Sequence, residues 1–145
     1  MSDLELLGRV SLGFLLAFVV GFEREVRGSP AGDRTFALIG ASTTALTAVL
    51  YQHSPQALAG VITCVGFIGA GVVVHSEQSF VRGITTAAGI YAAAAIGMVV
   101  GAGHAWAGVV TTIGVLIVLE LRNIPGLRLL DARRYRFRDR KSTRL

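Results

Sequence analysis

The sequence predicts an all-α fold: a polytopic membrane protein, a bundle of five transmembrane helices with its N-terminus outside and its C-terminus in the cytoplasm. Three observations predict it. Apolar residues make up 52% of the 145 residues and mean hydropathy is +0.61, too high for a soluble domain of this size. The apolar residues fall into five blocks, Leu6–Phe22, Phe36–Tyr51, Ala57–Val74, Ile84–Val100 and Trp106–Leu121. Lys and Arg concentrate in alternate connections between those blocks.

Each block is roughly 16 to 18 residues, the short end of what crosses a hydrocarbon core of about 30 Å, and flanking residues lengthen each helix. A soluble helical core needs polar helix faces, and these blocks have almost none. The first block follows an acidic leader, Met1-Ser2-Asp3-Leu4-Glu5. A signal peptide starts with positive charge and ends at small residues. The block is therefore expected to stay as the first transmembrane helix.

Arg24, Arg27 and Arg34 lie between the first and second blocks, and Arg82 between the third and fourth. Nine of the fourteen Lys and Arg residues follow Leu121. The connections near Gln52–Gln56 and Ala102–Ala105 hold none, and Arg9 alone sits near the opposite end. The positive-inside rule then places thirteen of the fourteen cations in the cytoplasm. Five spans put the two termini on opposite sides, in agreement with that charge pattern.

Small residues recur at every fourth position in two blocks. Gly13, Ala17 and Gly21 do so in the first, and Gly89, Ala93, Gly97 and Gly101 in the fourth. Lipid is as apolar as a side chain, so membrane helices associate through close contact, which small residues permit. Gly66, Gly69 and Gly71 are assigned the same packing role in the third block. That block lacks the Lys-Ser/Thr and the strand-to-helix context of a phosphate-binding loop. Val26-Arg27-Gly28 and Val81-Arg82-Gly83 repeat a tripeptide, either as an internal repeat or by chance.

The fifth helix is expected to stop near Ile124, before Pro125-Gly126. This divides the chain into a transmembrane domain, residues 1–124, and a basic cytoplasmic tail, residues 125–145. Arg133, Arg134, Arg136 and Arg138 alternate there with Tyr135 and Phe137. Such a segment suits anionic lipid headgroups or simply anchors topology. No recognition fold for nucleic acid accompanies it.

Glu23, Arg24, Arg27, Asp33, Arg34, Thr35, Arg82, Thr85 and Thr86 are the candidate binding residues. Glu23 and Arg27 are four apart and share a helix face. Asp33 is placed to cap the second helix. Arg34 and Arg82 are expected to face the bundle interior and share Glu23 and Asp33. No Ser/His/Asp or Cys/His set points to catalysis; His75 falls near the inner side, while His53 and His104 fall on the outer side, where a two-histidine metal site is the lesser alternative. Neither cofactor nor metal is expected. The single cysteine, Cys64, reads as a packing residue.

These residues resemble a known family. Gly21-Phe22-Glu23-Arg24 with Ala31-Gly32-Asp33-Arg34-Thr35, then Gly66-Phe67-Ile68-Gly69-Ala70-Gly71, then Val81-Arg82-Gly83-Ile84-Thr85-Thr86-Ala87-Ala88 are similar to the ordered motifs of the MgtC/SapB inner-membrane proteins. The resemblance runs from about Leu6 to Leu121. It implies a multi-pass protein of the bacterial inner membrane, linked to low-magnesium adaptation and intracellular survival. It also implies a non-enzymatic regulator acting through helix and cytoplasmic-face contacts, with the membrane part of the F-type ATP synthase as a partner. The longer members carry a C-terminal ACT-like domain, and this sequence resembles the short form. Homo-oligomers are expected. The alternative is an oligomeric transporter or channel subunit for an ion or small solute.

Overall fold

The computed structural model describes residues 1–75 and 81–120, with backbone alone at Val74, His75, Val81 and Arg82. Among the described residues, five helices follow one another: α1 (Asp3–Val26), α2 (Asp33–Leu50), α3 (Pro55–Val72), α4 (Ile84–Gly101) and α5 (Ala105–Glu120). Two short strands join α3 to α4. Val74–His75 (β1) pairs antiparallel with Val81–Arg82 (β2). The chain divides into two compact units, Met1–Val115 and Leu116–Leu145. The packing below concerns the first. Of the second, the described residues 116–120 continue α5. The basic tail lies outside the described residues.

Helix α1 extends past its apolar block at both ends. The Ser2 hydroxyl accepts from the Glu5 amide at 3.3 Å, a side-chain N-cap. Asp3 and Glu5 then sit in the first turn, where the helix dipole favours negative charge. At the other end the Ser29 amide bonds the Arg24 carbonyl at 3.0 Å and the Gly28 amide bonds the Glu25 carbonyl at 2.9 Å. This is a Schellman motif, and Gly28 takes the left-handed conformation it needs, φ 64°. Helix α4 ends the same way at Gly103, φ 98°. There the His104 amide reaches the Val99 carbonyl and the Gly103 amide the Val100 carbonyl.

The repeated Val-Arg-Gly has two different surroundings. Gly28 follows a helix, whereas Gly83 precedes one as the N-cap of α4. Both have positive φ, 64° and 91°. The shared tripeptide marks two left-handed turns rather than two copies of one hairpin.

The core is a three-helix seam. Helix α2 lies against α1 and α4, and both small-residue stripes point at it. A Cβ on Gly13 would overlap the Thr44 hydroxyl, and one on Gly40 would overlap the Ala17 methyl. A Cβ on Gly97 would overlap the Thr43 hydroxyl and stand 2.6 Å from the Gly40 carbonyl oxygen. The three backbones therefore meet at one level. Toward the next turns Phe36, fully buried, sits between Gly21 and Gly89, with ring atoms 3.2 and 3.3 Å from a Cβ placed on Gly89. Val20, Ile90, Ile96 and Val100 complete the packing.

Such close approach carries polar groups into the seam. Thr43 and Thr44 are buried, and each donates its hydroxyl back to its own helix. Thr43 reaches the Ile39 carbonyl at 2.8 Å, and Thr44 the Gly40 carbonyl at 2.7 Å. The bonds satisfy the hydroxyls without a partner helix.

Helices α3 and α5 are peripheral. Val65 and Gly69 are the buried residues of α3, while Phe67 is 83% exposed. Gly69 approaches Ala87 of α4 at ordinary contact distance, but Cβ atoms on Gly66 and Gly71 would meet open space. Gly66 and Gly71 thus do not make the close contacts expected of them within the chain. Helix α5 buries Gly108 and Thr112, with Gly108 against Val100.

Three helices, α1, α3 and α4, are long and apolar enough to cross a membrane, and α5 is a shorter apolar helix. In α2, Asp33, Arg34 and the run of Ser and Thr residues lower hydropathy. Its Thr43, Thr44 and Thr47 are buried against its neighbours, so their polarity is covered by protein. The chain is a membrane protein in which α2, packed between α1 and α4, is less apolar than the candidate spans.

Two Gly-to-Ala changes separate the seam from the periphery. Gly97→Ala is expected to destabilise by about 1–3 kcal/mol, the usual cost of overpacking. Gly66→Ala is expected to stabilise by up to about 1 kcal/mol through helix propensity. Unfolding of each variant in detergent measures both.

Candidate functional site

The C-terminal end of α1 and the N-terminal end of α2 bring six charged residues together. Glu23 is the hub. Its carboxylate accepts two bonds from the Arg24 guanidinium, from Nη2 at 2.5 Å and from Nε. Arg27 Nε stands 3.4 Å from Glu23 Oε1, the i,i+4 pair that the spacing anticipates. The Glu23 and Arg24 side chains are 10% and 9% exposed, and that of Arg27 is 40% exposed. Neighbouring residues on a helix do not normally face each other. Here the long Arg24 side chain folds back across the helix to reach its neighbour. An unpaired guanidinium among buried apolar groups is far costlier than that bend.

Beside this pair lies an open depression of about 460 Å³, lined by Glu25, Gly32, Asp33, Arg34 and Thr35. Gly32 is the N-cap of α2 and supplies no side chain. Asp33 is the first helical residue rather than the cap, and its Oδ1 accepts from the Arg34 amide at 2.6 Å. The Glu25 carboxylate lies directly against Gly32, where a Cβ would collide with it. Two carboxylates thus face the positive end of α2.

The expectation that Arg34 points inward is corrected. Its side chain is exposed, on the rim of the depression. Among the described residues the buried arginine is Arg24, because α1 continues four residues beyond Phe22 and carries Arg24 around to the seam. Asp33 serves the α2 terminus, its Oδ1 accepting from the Arg34 amide. Thr86 is buried at the start of α4, whereas Thr85 is exposed. The Arg82 side chain and the tail arginines, 133, 134, 136 and 138, lie outside the described residues.

Sequence reasoning did not pick out Arg9. Its Nη1 donates to the Gly101 carbonyl at 2.8 Å, and its Nη2 to Glu5 Oε1 at 2.5 Å. The Gly101 carbonyl belongs to the last turn of α4, where intrahelical donors run out. Glu5 and Arg9 at i,i+4 were the available signal. Thr47 was missed as well: it is 2% exposed, and its hydroxyl is the buried side-chain polar atom without a partner among the described residues.

The cluster can hold and orient charge. Among the described residues no group of three His, Cys, Asp or Glu converges as a metal site. Its chemistry is that of paired guanidinium and carboxylate groups beside a helix N-terminus.

Stability should report the pairing. Glu23→Gln is expected to cost about 3–5 kcal/mol, since it strands the buried Arg24. Arg34→Ala is expected to change stability by less than about 1 kcal/mol, as for exposed charges. Chemical unfolding in matched micelles reads both, and Arg24→Lys should rescue poorly because Lys lacks the bidentate fork.

A protein of Haemophilus influenzae, of unassigned function, is 36% identical over 134 residues, covering 83% of this chain and 56% of its own length. YhiD of Escherichia coli strain K12, named as a candidate magnesium transporter, is 36% identical over 88% of this chain and 65% of its own. SapB of Bacillus subtilis is 32% identical over 81% of this chain and 56% of its own. The chain therefore spans less than two-thirds of these relatives. No solved structure matches it significantly. Residues 10–124 match the MgtC family, and that stretch holds the α1–α2–α4 seam and the Glu23 cluster. The chain belongs to the MgtC family.

Proposed function

We propose that the chain is a multi-pass protein of the bacterial inner membrane and a non-enzymatic regulator. It acts by docking its cytoplasmic Glu23 end, and its helices, against a membrane partner. The observation that carries this reading is the seam. Gly13, Gly40 and Gly97 bring three backbones into contact at one level, leaving no room there for even a methyl group. A bundle closed that tightly is a plug, whereas the Glu23 end offers an open, charged surface.

In this reading all five helices cross the bilayer, with the N-terminus outside and the C-terminus in the cytoplasm. Helix α5 has 16 residues and rises about 24 Å, so the bilayer thins or flanking residues complete the span. Tyr51 and Trp106, both well exposed, lie at the end opposite Glu23 and suit the outer interface. The basic tail then meets anionic headgroups on the inner leaflet. The family resemblance points to low-magnesium adaptation as the setting and to the membrane part of the F-type ATP synthase as the partner. The exposed faces of α3 and α5 suit a second copy or that partner.

A second reading, an oligomeric transporter, draws on the name of YhiD and on the buried Thr43, Thr44 and Thr47 along α2. Flux separates the two. Proteoliposomes containing the purified chain are expected to show no ion-dependent flux above protein-free vesicles. Robust flux of magnesium or a monovalent cation would replace the regulator with the transporter. Reporter fusions after Gly32 should signal cytoplasm, and fusions after Ser54 the outside.

A further inference from the structure

We infer that a depression at the Arg9 end of the bundle binds the head group of a zwitterionic, ethanolamine-bearing phospholipid. The depression holds about 240 Å³, and Glu5, Arg9, Tyr51, Gln52, Gly101 and Ala102 line it. That is room for several water-sized groups. It is distinct from the Glu23 cluster, at the other end of α1.

The two charges are fixed before any ligand arrives. Arg9 is held by the Gly101 carbonyl at 2.8 Å and by Glu5 at 2.5 Å. A Cβ on Gly103 would stand 3.3 Å from the guanidinium, so the left-handed turn after α4 packs against it. A guanidinium has five N–H donors, and these two contacts leave donors for a phosphate. Both side chains still meet solvent, 28% exposed for Arg9 and 49% for Glu5. A carboxylate accepts at both oxygens, so Glu5 can take an ammonium while it keeps Arg9. A cation and an anion side by side complement a phosphate linked to an amine. A purely anionic head group would meet Glu5 unfavourably, and a choline head group has no N–H to donate.

Position favours lipid over a soluble ligand. Between Arg9 and Glu23, α1 has thirteen uncharged residues, Val10–Phe22, a rise of about 20 Å. The hydrocarbon core is about 30 Å thick, so with that stretch centred Arg9 starts about 5 Å inside the edge, a depth from which its long side chain reaches the headgroup level. Tyr51, half exposed, lines the depression, and amphipathic aromatics settle at headgroup depth. The inference rests on the proposed membrane embedding of α1 but not on which end faces the cytoplasm.

Lipid retention tests it. The purified chain is exchanged into micelles doped with equal amounts of phosphatidylethanolamine, phosphatidylglycerol and phosphatidylcholine of identical acyl chains, and retained lipid is read by native mass spectrometry. Phosphatidylethanolamine is expected to be retained at least five-fold over either competitor. Glu5→Gln, at a half-exposed position, should keep the fold and shift retention toward phosphatidylglycerol. Arg9→Gln should abolish retention of phosphatidylethanolamine and of phosphatidylglycerol alike, with folding checked by circular dichroism. Arg34→Gln, at the other end, should leave the preference intact. Equal retention of the three lipids, or an ethanolamine preference that survives Glu5→Gln, would overturn the inference. Displacement by free phosphoethanolamine at millimolar concentration would overturn the lipid and assign a soluble ligand. None of these outcomes depends on flux or on reporter topology.

Discussion

Backbone contact between α2 and its two neighbours is the constraint on which the rest of the bundle depends. Lipid gives no hydrophobic reward for burying one apolar helix against another, so the association relies on close packing. Gly13, Gly40, Gly97 and Gly101 supply it, each where a Cβ would collide with a hydroxyl, a methyl or a carbonyl. Because α2 is enclosed, it can carry Thr43, Thr44 and Thr47 without exposing hydroxyls to lipid. Phe36 fills the wider space that follows, between Gly21 and Gly89. One small-residue level thus sets the spacing that lets a large aromatic fit at the next.

The same helix pair sets the electrostatics. The uncharged part of α1 is shorter than the hydrocarbon core is thick, so the charges at both of its ends approach apolar surroundings. Each end resolves this with protein partners. Arg24 takes Glu23, and Arg9 takes Glu5 together with the last turn of α4. Burying a charge alone would cost far more than either arrangement. The two ends differ in what remains open. At the Glu23 end, carboxylates and Arg34 surround the start of α2. At the Arg9 end, a cation and an anion share one small depression. Each is a surface whose shape the seam determines.

Much of the fold was legible. Five apolar blocks correspond to five helices, and the stripes of α1 and α4 mark the faces that pack on α2. Block edges missed the helix ends because Asp3, Glu5, Glu23 and Arg24 look like loop residues by hydropathy, yet capping and i,i+4 pairing hold them helical. The site was less legible. Arg24 and Arg34 are equivalent in composition and differ only in the turn at which α1 ends, which Gly28 decides. Gly66 and Gly97 are likewise indistinguishable by type. One is open and the other packed because α3 is peripheral and α4 central, a tertiary fact that no local pattern encodes. Arg9 escaped notice because its main partner, the Gly101 carbonyl, is 92 residues away in sequence.

The central claim is that steric contact across the α1–α2 seam determines the bundle. A double-mutant cycle on Gly13 and Thr44 tests it most directly. A methyl at position 13 meets the Thr44 hydroxyl first, with the Gly40 carbonyl oxygen farther away at 3.2 Å. Gly13→Ala should be strongly destabilising when Thr44 is present and much less so when Thr44→Ala removes the hydroxyl. The coupling should then be about 1 kcal/mol or more, in the range of residues in direct contact. Additive effects of the two changes in detergent unfolding would contradict the account, since the seam would then not be closed at that level.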